Sequence, residues 1–130
     1  MIKLNSISKT YESIEILKDI SYEFNDTGLY CVIGETGVGK TTLINILGLL
    51  EVPDCGEVII DGNVINFQDM KLLECYRNKY ISYVLQNICL FDNLSVFENL
   101  LFITNDVEEI YSLLEHMNIL SIKNNKCGNL

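Results

Sequence analysis

The order of apolar and polar positions divides the chain into strand-like stretches near the start and helix-like stretches further on. Residues 2–7 and 14–24 are rich in β-branched and aromatic side chains, and the alternation through Ile16, Lys18, Ile20, Tyr22 and Phe24 predicts a partly exposed hairpin. After a turn at Asp26-Thr27-Gly28, residues 29–33 form a short, continuous apolar run. That is the pattern of a strand buried on both faces, and it leads directly into Gly34. Residues 40–50 switch to helical spacing with Leu43, Ile44, Ile46, Leu47, Leu49 and Leu50 spread nearly all round, which predicts a helix inside the fold. Pro53-Asp54-Cys55-Gly56 ends it. Further strands are expected at 57–60, closed by the Asp61-Gly62 turn, and at 80–85, with a short helix at 70–79 between them. Residues 94–103 and 107–117 read as helices, and Asp106 with Glu109 three residues on fits a capping box. The stretch 123–130 is polar, and neither an internal repeat nor an interdomain linker is visible.

Composition narrows the class of molecule. A 130-residue chain with 48% hydrophobic residues is of the size and apolar content of one globular domain or part of one, which excludes disorder. The longest apolar run, residues 43–50, is broken by Asn45 and Gly48 and falls short of the roughly 18 to 20 residues a membrane helix needs. Residues 1–10 lack a basic region followed by an apolar core, so no secretory signal is read there and a cytoplasmic location is expected. Cys31, Cys55, Cys75, Cys89 and Cys127 are widely spaced with no C-x-x-C pair, which favours buried, reduced thiols over zinc or disulfides. The net charge of −9 argues against a nucleic-acid partner, which would need a positive face. Any polyphosphate must therefore be held by a local site.

Such a site is present in the sequence. Gly34-Glu35-Thr36-Gly37-Val38-Gly39-Lys40-Thr41 matches G-x-x-x-x-G-K-[ST] in full, between a strand-like and a helix-like stretch. Backbone N–H groups and the positive end of a helix can solvate several phosphate charges without large side chains, and glycines let the backbone wrap closely. The pattern assigns Gly34, Gly37 and Gly39 to loop shape, with Glu35, Thr36 and Val38 supplying further backbone of the cradle. Lys40 is expected on the outer phosphates, Thr41 on Mg²⁺, and Thr42 on a further phosphate contact.

Beyond this motif the chain resembles the nucleotide-binding domain of ABC transporters over essentially its whole length. Tyr11 in Ser8-Lys9-Thr10-Tyr11 sits where that family has an aromatic that stacks on adenine, and residues 16–24 are similar to its second strand. Residues 55–62 look like the strand and turn after the P-loop helix, residues 81–86 like the strand ending in the Q-loop glutamine, and residues 90–100 like the segment after it. The resemblance implies an α/β P-loop NTPase fold with an amino-terminal antiparallel β portion. Its core would span about 1–86 and the start of a helical subdomain about 87–130. It further implies ATP and Mg²⁺ as ligands, with Gln86 contacting Mg²⁺ and the attacking water. The partners implied are a transmembrane permease subunit and a second nucleotide-binding domain in a head-to-tail dimer, at the inner face of the membrane.

Two departures from the family pattern stand out. Val38 replaces a small polar P-loop residue, and Gly128-Asn129-Leu130 looks like the approach to the signature motif, so the fold is expected to be truncated before it. The signature, the acidic Mg²⁺-supporting strand, the catalytic glutamate and the switch histidine would then lie outside these residues, and His116 is not that histidine. Residues 90–100 look most like export-type subunits of the lipoprotein, macrolide and bacteriocin group. Competing readings are a ring-forming P-loop ATPase, a soluble ABC-type ATPase of DNA repair, and a nucleotide-binding remnant without turnover. The position of Gln86 disfavours the ring class, and the acidic balance disfavours the repair class.

Overall fold

A computed structural model describes residues 1–84 and 90–130 and divides them into two compact units, 1–83 and 84–130. In the first unit β1 (Ile2–Tyr11) and β2 (Ile14–Phe24) form an antiparallel hairpin. Its two-residue turn, Glu12-Ser13, has both φ angles positive (47° and 69°), the hand that matches the strand twist. β3 (Cys55–Ile60) pairs antiparallel with the other edge of β1, and the short β4 (Asn63–Val64) closes a sheet of order β2-β1-β3-β4.

The burial pattern departs from simple alternation for a local reason. Ser6 and Asp19 lie at φ 51° and 50°, each inserting a kink into its strand. Leu4 and Ile7 on β1 are therefore both buried although three residues apart, and Leu17, not Lys18, enters the core from β2. The two kinks are tied reciprocally: Ser6 N–H donates to Ser21 Oγ at 2.8 Å and Asp19 N–H to Ser8 Oγ at 3.0 Å. Gly56 meets β1 at the same place, where an added Cβ would lie 2.4 Å from the Ser6 carbonyl oxygen. No larger residue can sit there without displacing the strand.

The sheet packs through Leu4, Ile7, Leu17, Val58 and Ile60 against Ile46, Leu49, Ile65 and Leu73. Ile46 belongs to α1 (Lys40–Leu47) and Leu73 to α2 (Met70–Tyr80). The Asp69 carboxylate caps α2 by accepting from Leu72 N–H at 3.0 Å. Arg77 of α2 donates to the Leu49 carbonyl at 2.9 Å, and the Tyr83 hydroxyl donates to Asn45 Oδ1 at 2.6 Å, so both secure the end of α1.

Several expectations are corrected. Residues 29–33 are not a strand: Leu29 and Ile33 are almost fully exposed, and no described strand pairs with them. A central parallel strand exists only by virtue of hydrogen-bonded neighbours on both sides, so an apolar run without them does not form one. Residues 81–84 likewise carry no strand, and residue 85 lies outside the described ones. α1 is not enclosed, since only Ile46 of its residues is fully buried and Ile44 is exposed. Its apolar circumference needs covering layers that the described residues do not supply. Cys31, Cys55 and Cys75 are exposed and Cys127 is half-buried, all as free thiols: Cys31 lies in the unpaired run before the P-loop, Cys55 starts β3 and Cys75 is on the outer side of α2, while Cys89 lies outside the described residues.

The second unit is helical. α3 (Val96–Leu100) is shorter than the expected 94–103 and starts with a full capping box: Ser95 Oγ accepts from Glu98 N–H at 3.2 Å, and Glu98 Oε2 accepts from Ser95 N–H at 2.7 Å. α4 (Val107–His116) buries Ile110 and Leu114 one turn apart. Asp106 caps it from the expected position, but the Glu109 carboxylate accepts from Thr104 Oγ1 at 3.0 Å and not from Asp106, so only half of the expected capping box forms. Asn99 ties α3 to the preceding loop, accepting from Phe91 N–H at 2.9 Å and donating to the Ser95 carbonyl at 3.0 Å. The polar stretch 123–130 returns to this loop: Val96 and Phe97 donate to the Asn125 and Lys123 carbonyls, and Gly128 N–H donates to the Asp92 carbonyl at 3.0 Å.

Candidate functional site

The glycine-rich loop begins at Gly34 and ends on Gly39, the N-cap of α1, at φ 99°. An added Cβ at Gly39 would approach Ile16 Cγ2 to 2.6 Å and Leu17 Cδ2 to 3.0 Å. The left-handed backbone and this contact with β2 both demand glycine. Leu43 N–H closes the first α-helical bond to the Gly39 carbonyl at 2.9 Å. The N–H groups of the preceding residues in the first turn have no place in the helical ladder, as at any helix start.

Lys40, the first residue of α1, folds back across the loop. Its ammonium donates to the Gly34 carbonyl at 2.9 Å and the Glu35 carbonyl at 2.6 Å. An ammonium has three protons, so these two bonds leave capacity for an anion. Val38 N–H also turns back to the Glu35 carbonyl at 3.4 Å, and the Val38 side chain is exposed, so this departure from the family pattern sits outside the packed structure.

Tyr11, Ile16, Gly37, Gly39, Lys40, Thr41 and Thr42 line one open cleft of about 230 Å³. The structure thus brings together residues 31 positions apart that sequence reasoning assigned to the two ends of a nucleotide. Gly34, Glu35 and Thr36 complete the loop behind Lys40 without lining the cleft. Gln86 lies outside the described residues.

The cleft holds a fixed cation, the positive end of a helix and two hydroxyls, and the aromatic side chain of Tyr11 shares its lining. That donor set suits a polyphosphate with a hard divalent cation, for which oxygen ligands such as the Thr41 hydroxyl are the right type. It includes no carboxylate or imidazole among the described lining residues.

Sequence reasoning missed the groups around Tyr11. The Tyr11 hydroxyl bonds to the Glu51 carboxylate, and Lys9 Nζ lies 5.5 Å from the Tyr11 ring centroid. Lys9 in turn donates to the Val52 carbonyl at 2.7 Å and to Asp54 Oδ1 at 3.1 Å. Asp54 Oδ2 accepts from Thr10 N–H at 2.7 Å. That backbone bond first, and Lys9 second, hold the Asp54 carboxyl below the usual carboxylate range. The only local sign of this network in the sequence is a lysine two positions before the tyrosine, on the same side of a strand.

Comparison with known proteins places these features in context. The family model described as ABC transporter matches residues 17–130. The lipoprotein-releasing system ATP-binding protein LolD of Bacteroides thetaiotaomicron is 41% identical over 101 residues, covering 78% of this chain and 46% of that protein. The ABC transporter ATP-binding protein YxdL of Bacillus subtilis is 32% identical over 118 residues, covering 88% of this chain and 46% of that protein. Among solved structures, dimeric MJ0796, a bacterial ABC transporter cassette, superposes with a TM-score of 0.84 at 31% identity, covering all of this chain and 63% of that one. The same cassette in a post-hydrolysis state bound to ADP and Pi gives a TM-score of 0.83 at 30% identity. The chain spans about half the length of the curated relatives it matches.

Proposed function

Because the chain belongs to the ABC transporter family, we propose that it binds MgATP through the cleft at the start of α1, as part of an ATP-binding subunit. The observation that carries this reading is the convergence of Tyr11, Lys40, Thr41 and Thr42 on one cleft around a loop of the full P-loop pattern. Lys40 is assigned to the outer phosphates, through a charge-assisted bond from the proton that its contacts with the Gly34 and Glu35 carbonyls leave available. Backbone N–H groups of the loop and the first turn of α1 take the remaining phosphate charge. The Thr41 hydroxyl is assigned to Mg²⁺ and Thr42 to a further phosphate oxygen, while the half-exposed Tyr11 ring offers a face for adenine. Gln86 is assigned to Mg²⁺ and the attacking water on the family's sequence pattern.

In the whole protein, Mg²⁺ held by the Thr41 hydroxyl would neutralise and orient the phosphates for transfer to water, and turnover would drive transport through a transmembrane permease. A second nucleotide-binding domain would complete the site head to tail, at the cytoplasmic face of the membrane. The second unit would be the start of the helical subdomain. The identity to a lipoprotein-releasing ATP-binding protein favours the export-type group.

Titration of labelled ATP with Mg²⁺ tests the site. Lys40→Ala is expected to weaken binding roughly tenfold or more, by loss of a charge-assisted phosphate contact. Equal affinity in the two proteins sinks the assignment. Phosphoryl transfer also needs an aligned water and a base, and the described lining of the cleft holds no group that could serve as one. The 130-residue polypeptide is therefore expected to bind MgATP without phosphate release above background; sustained release abolished by Lys40→Ala would overturn that expectation.

A further inference from the structure

The two ends of the candidate ATP site are anchored to the two ends of α1. Lys40 opens the helix, and Glu51, Val52 and Asp54 lie just past its close. Tyr11 is the last residue of β1, immediately before the two-residue turn, so one side of its backbone is held by the hairpin. Its side chain would otherwise be held by little: the ring is about half-exposed. What fixes it is the bond from its hydroxyl to Glu51, while Lys9 sits beside the ring and is itself mostly buried, at 14% exposure. Three oxygens surround the Lys9 ammonium: the Val52 carbonyl at 2.7 Å, Asp54 Oδ1 at 3.1 Å and Glu51 Oε1 at 3.8 Å. Asp54 also takes the backbone N–H of Thr10, which lies between the two side chains on the strand.

We infer that Lys9 and Glu51 are positioning residues for the base-facing ring: Lys9 docks the end of β1 on the segment after α1, and Glu51 holds the Tyr11 hydroxyl so that the ring stays on the lining of the cleft. The inference rests on the ATP-binding reading of the cleft and deepens it. Stacking on an aromatic ring requires the ring to be in place before the base arrives, and a ring left to rotate costs ordering entropy on binding. Lys40 and the loop do not depend on this network, because their contacts are to Gly34 and Glu35. Base recognition and phosphate recognition are thus separable.

The experiment compares Mg²⁺-dependent binding of ATP and of inorganic triphosphate by the purified protein and by Lys9→Met, Glu51→Ala, Glu51→Gln and Tyr11→Phe variants. Glu51→Ala and Tyr11→Phe each remove one partner of the same bond and are expected to weaken ATP binding about three- to tenfold, part of what base stacking contributes. Their double variant should be no worse than either, as for two halves of one interaction. Lys9→Met should fall in the same range. Glu51→Gln keeps an acceptor for the tyrosine hydroxyl and is expected to restore nearly full affinity. Triphosphate affinity should be unchanged throughout.

Equal weakening of ATP and triphosphate would mean that the network only supports the fold, and undiminished ATP affinity in Glu51→Ala and Lys9→Met would mean that it does nothing for the base. Either result overturns the inference while leaving the cleft assignment standing. If the unsubstituted protein binds neither ligand, the ATP-binding reading falls and the inference with it.

Discussion

Gly39 carries two constraints at once, a left-handed backbone at φ 99° and a face pressed against Ile16 and Leu17 of β2. Gly39→Ala therefore has no inexpensive accommodation: the added carbon meets both a neighbouring side chain and the Ile16 carbonyl at 3.2 Å. The expected outcome is a loss of about 2 kcal/mol or more of stability in urea unfolding, accompanied by loss of ATP binding because the start of α1 shifts away from β2. A variant with unchanged unfolding midpoint and affinity would show that the loop does not need this contact. The P-loop residues were legible in the sequence because their chemistry is local: eight consecutive positions specify both the turn and the helix start. Lys9, Glu51 and Asp54 were not, since their contacts with one another and with Tyr11 join the end of β1 to residues some forty positions later. Nothing in the spacing of a lysine and two carboxylates announces such a meeting.

At the scale of elements, the capping box of α3 gives a pH-dependent handle. The Ser95 backbone N–H, followed by its hydroxyl, holds the Glu98 carboxyl below its ordinary value of 4.5. The folded form thus binds that proton less readily than the unfolded chain. The stabilisation is complete above the unfolded value and is lost as pH falls below about 4.5 through the depressed folded value. Glu98→Gln keeps a neutral acceptor that does not titrate, so the stability gap between the native sequence and this variant should close on acidification. Thermal unfolding by circular dichroism at pH 7, 5 and 3.5 measures the gap, and a gap independent of pH rules out the titrating cap. The full box forms at Ser95–Glu98, where the sequence reading places none and starts the helix at 94, whereas the Asp106–Glu109 pair that it does single out has the same spacing but loses its second bond to Thr104. β2, β3, α2 and α4 lie close to their expected extents and β1 runs four residues past its own, because where hairpins and amphipathic helices form is set largely by neighbouring residues. Residues 29–33 and 81–84 carry strand-like sequence without strand structure, since the pairing that makes a strand is supplied from elsewhere. The kinks at Ser6 and Asp19 moved the burial register in a way no period-two reading could find.

For the whole chain, two opposing surface properties govern behaviour in solution. Leu29 and Ile33 are 99% and 87% exposed, while Tyr30 between them is engaged, against Phe24 at 5.1 Å between ring centroids and by a bond from Asn25 N–H to its hydroxyl at 2.9 Å. Exposed apolar residues clustered this way favour association. The outer strand β2 is protected differently, by Glu15, Lys18, Asp19 and Glu23 along it, which discourage edge-to-edge pairing. A net charge of −9 repels like copies at low ionic strength. Raising salt shortens the screening length from about 30 Å at 0.01 M to about 8 Å at 0.15 M, which removes the repulsion and leaves the apolar attraction intact. The 130-residue polypeptide is therefore expected to be monomeric in sedimentation velocity at low salt and to associate as salt rises, through residues 29–33. A Leu29→Ser/Ile33→Ser variant leaves the charge unchanged and should stay monomeric at both salt concentrations. Association equal to that of the native sequence would place the contact on another face, and association strongest at low salt would make it electrostatic in origin.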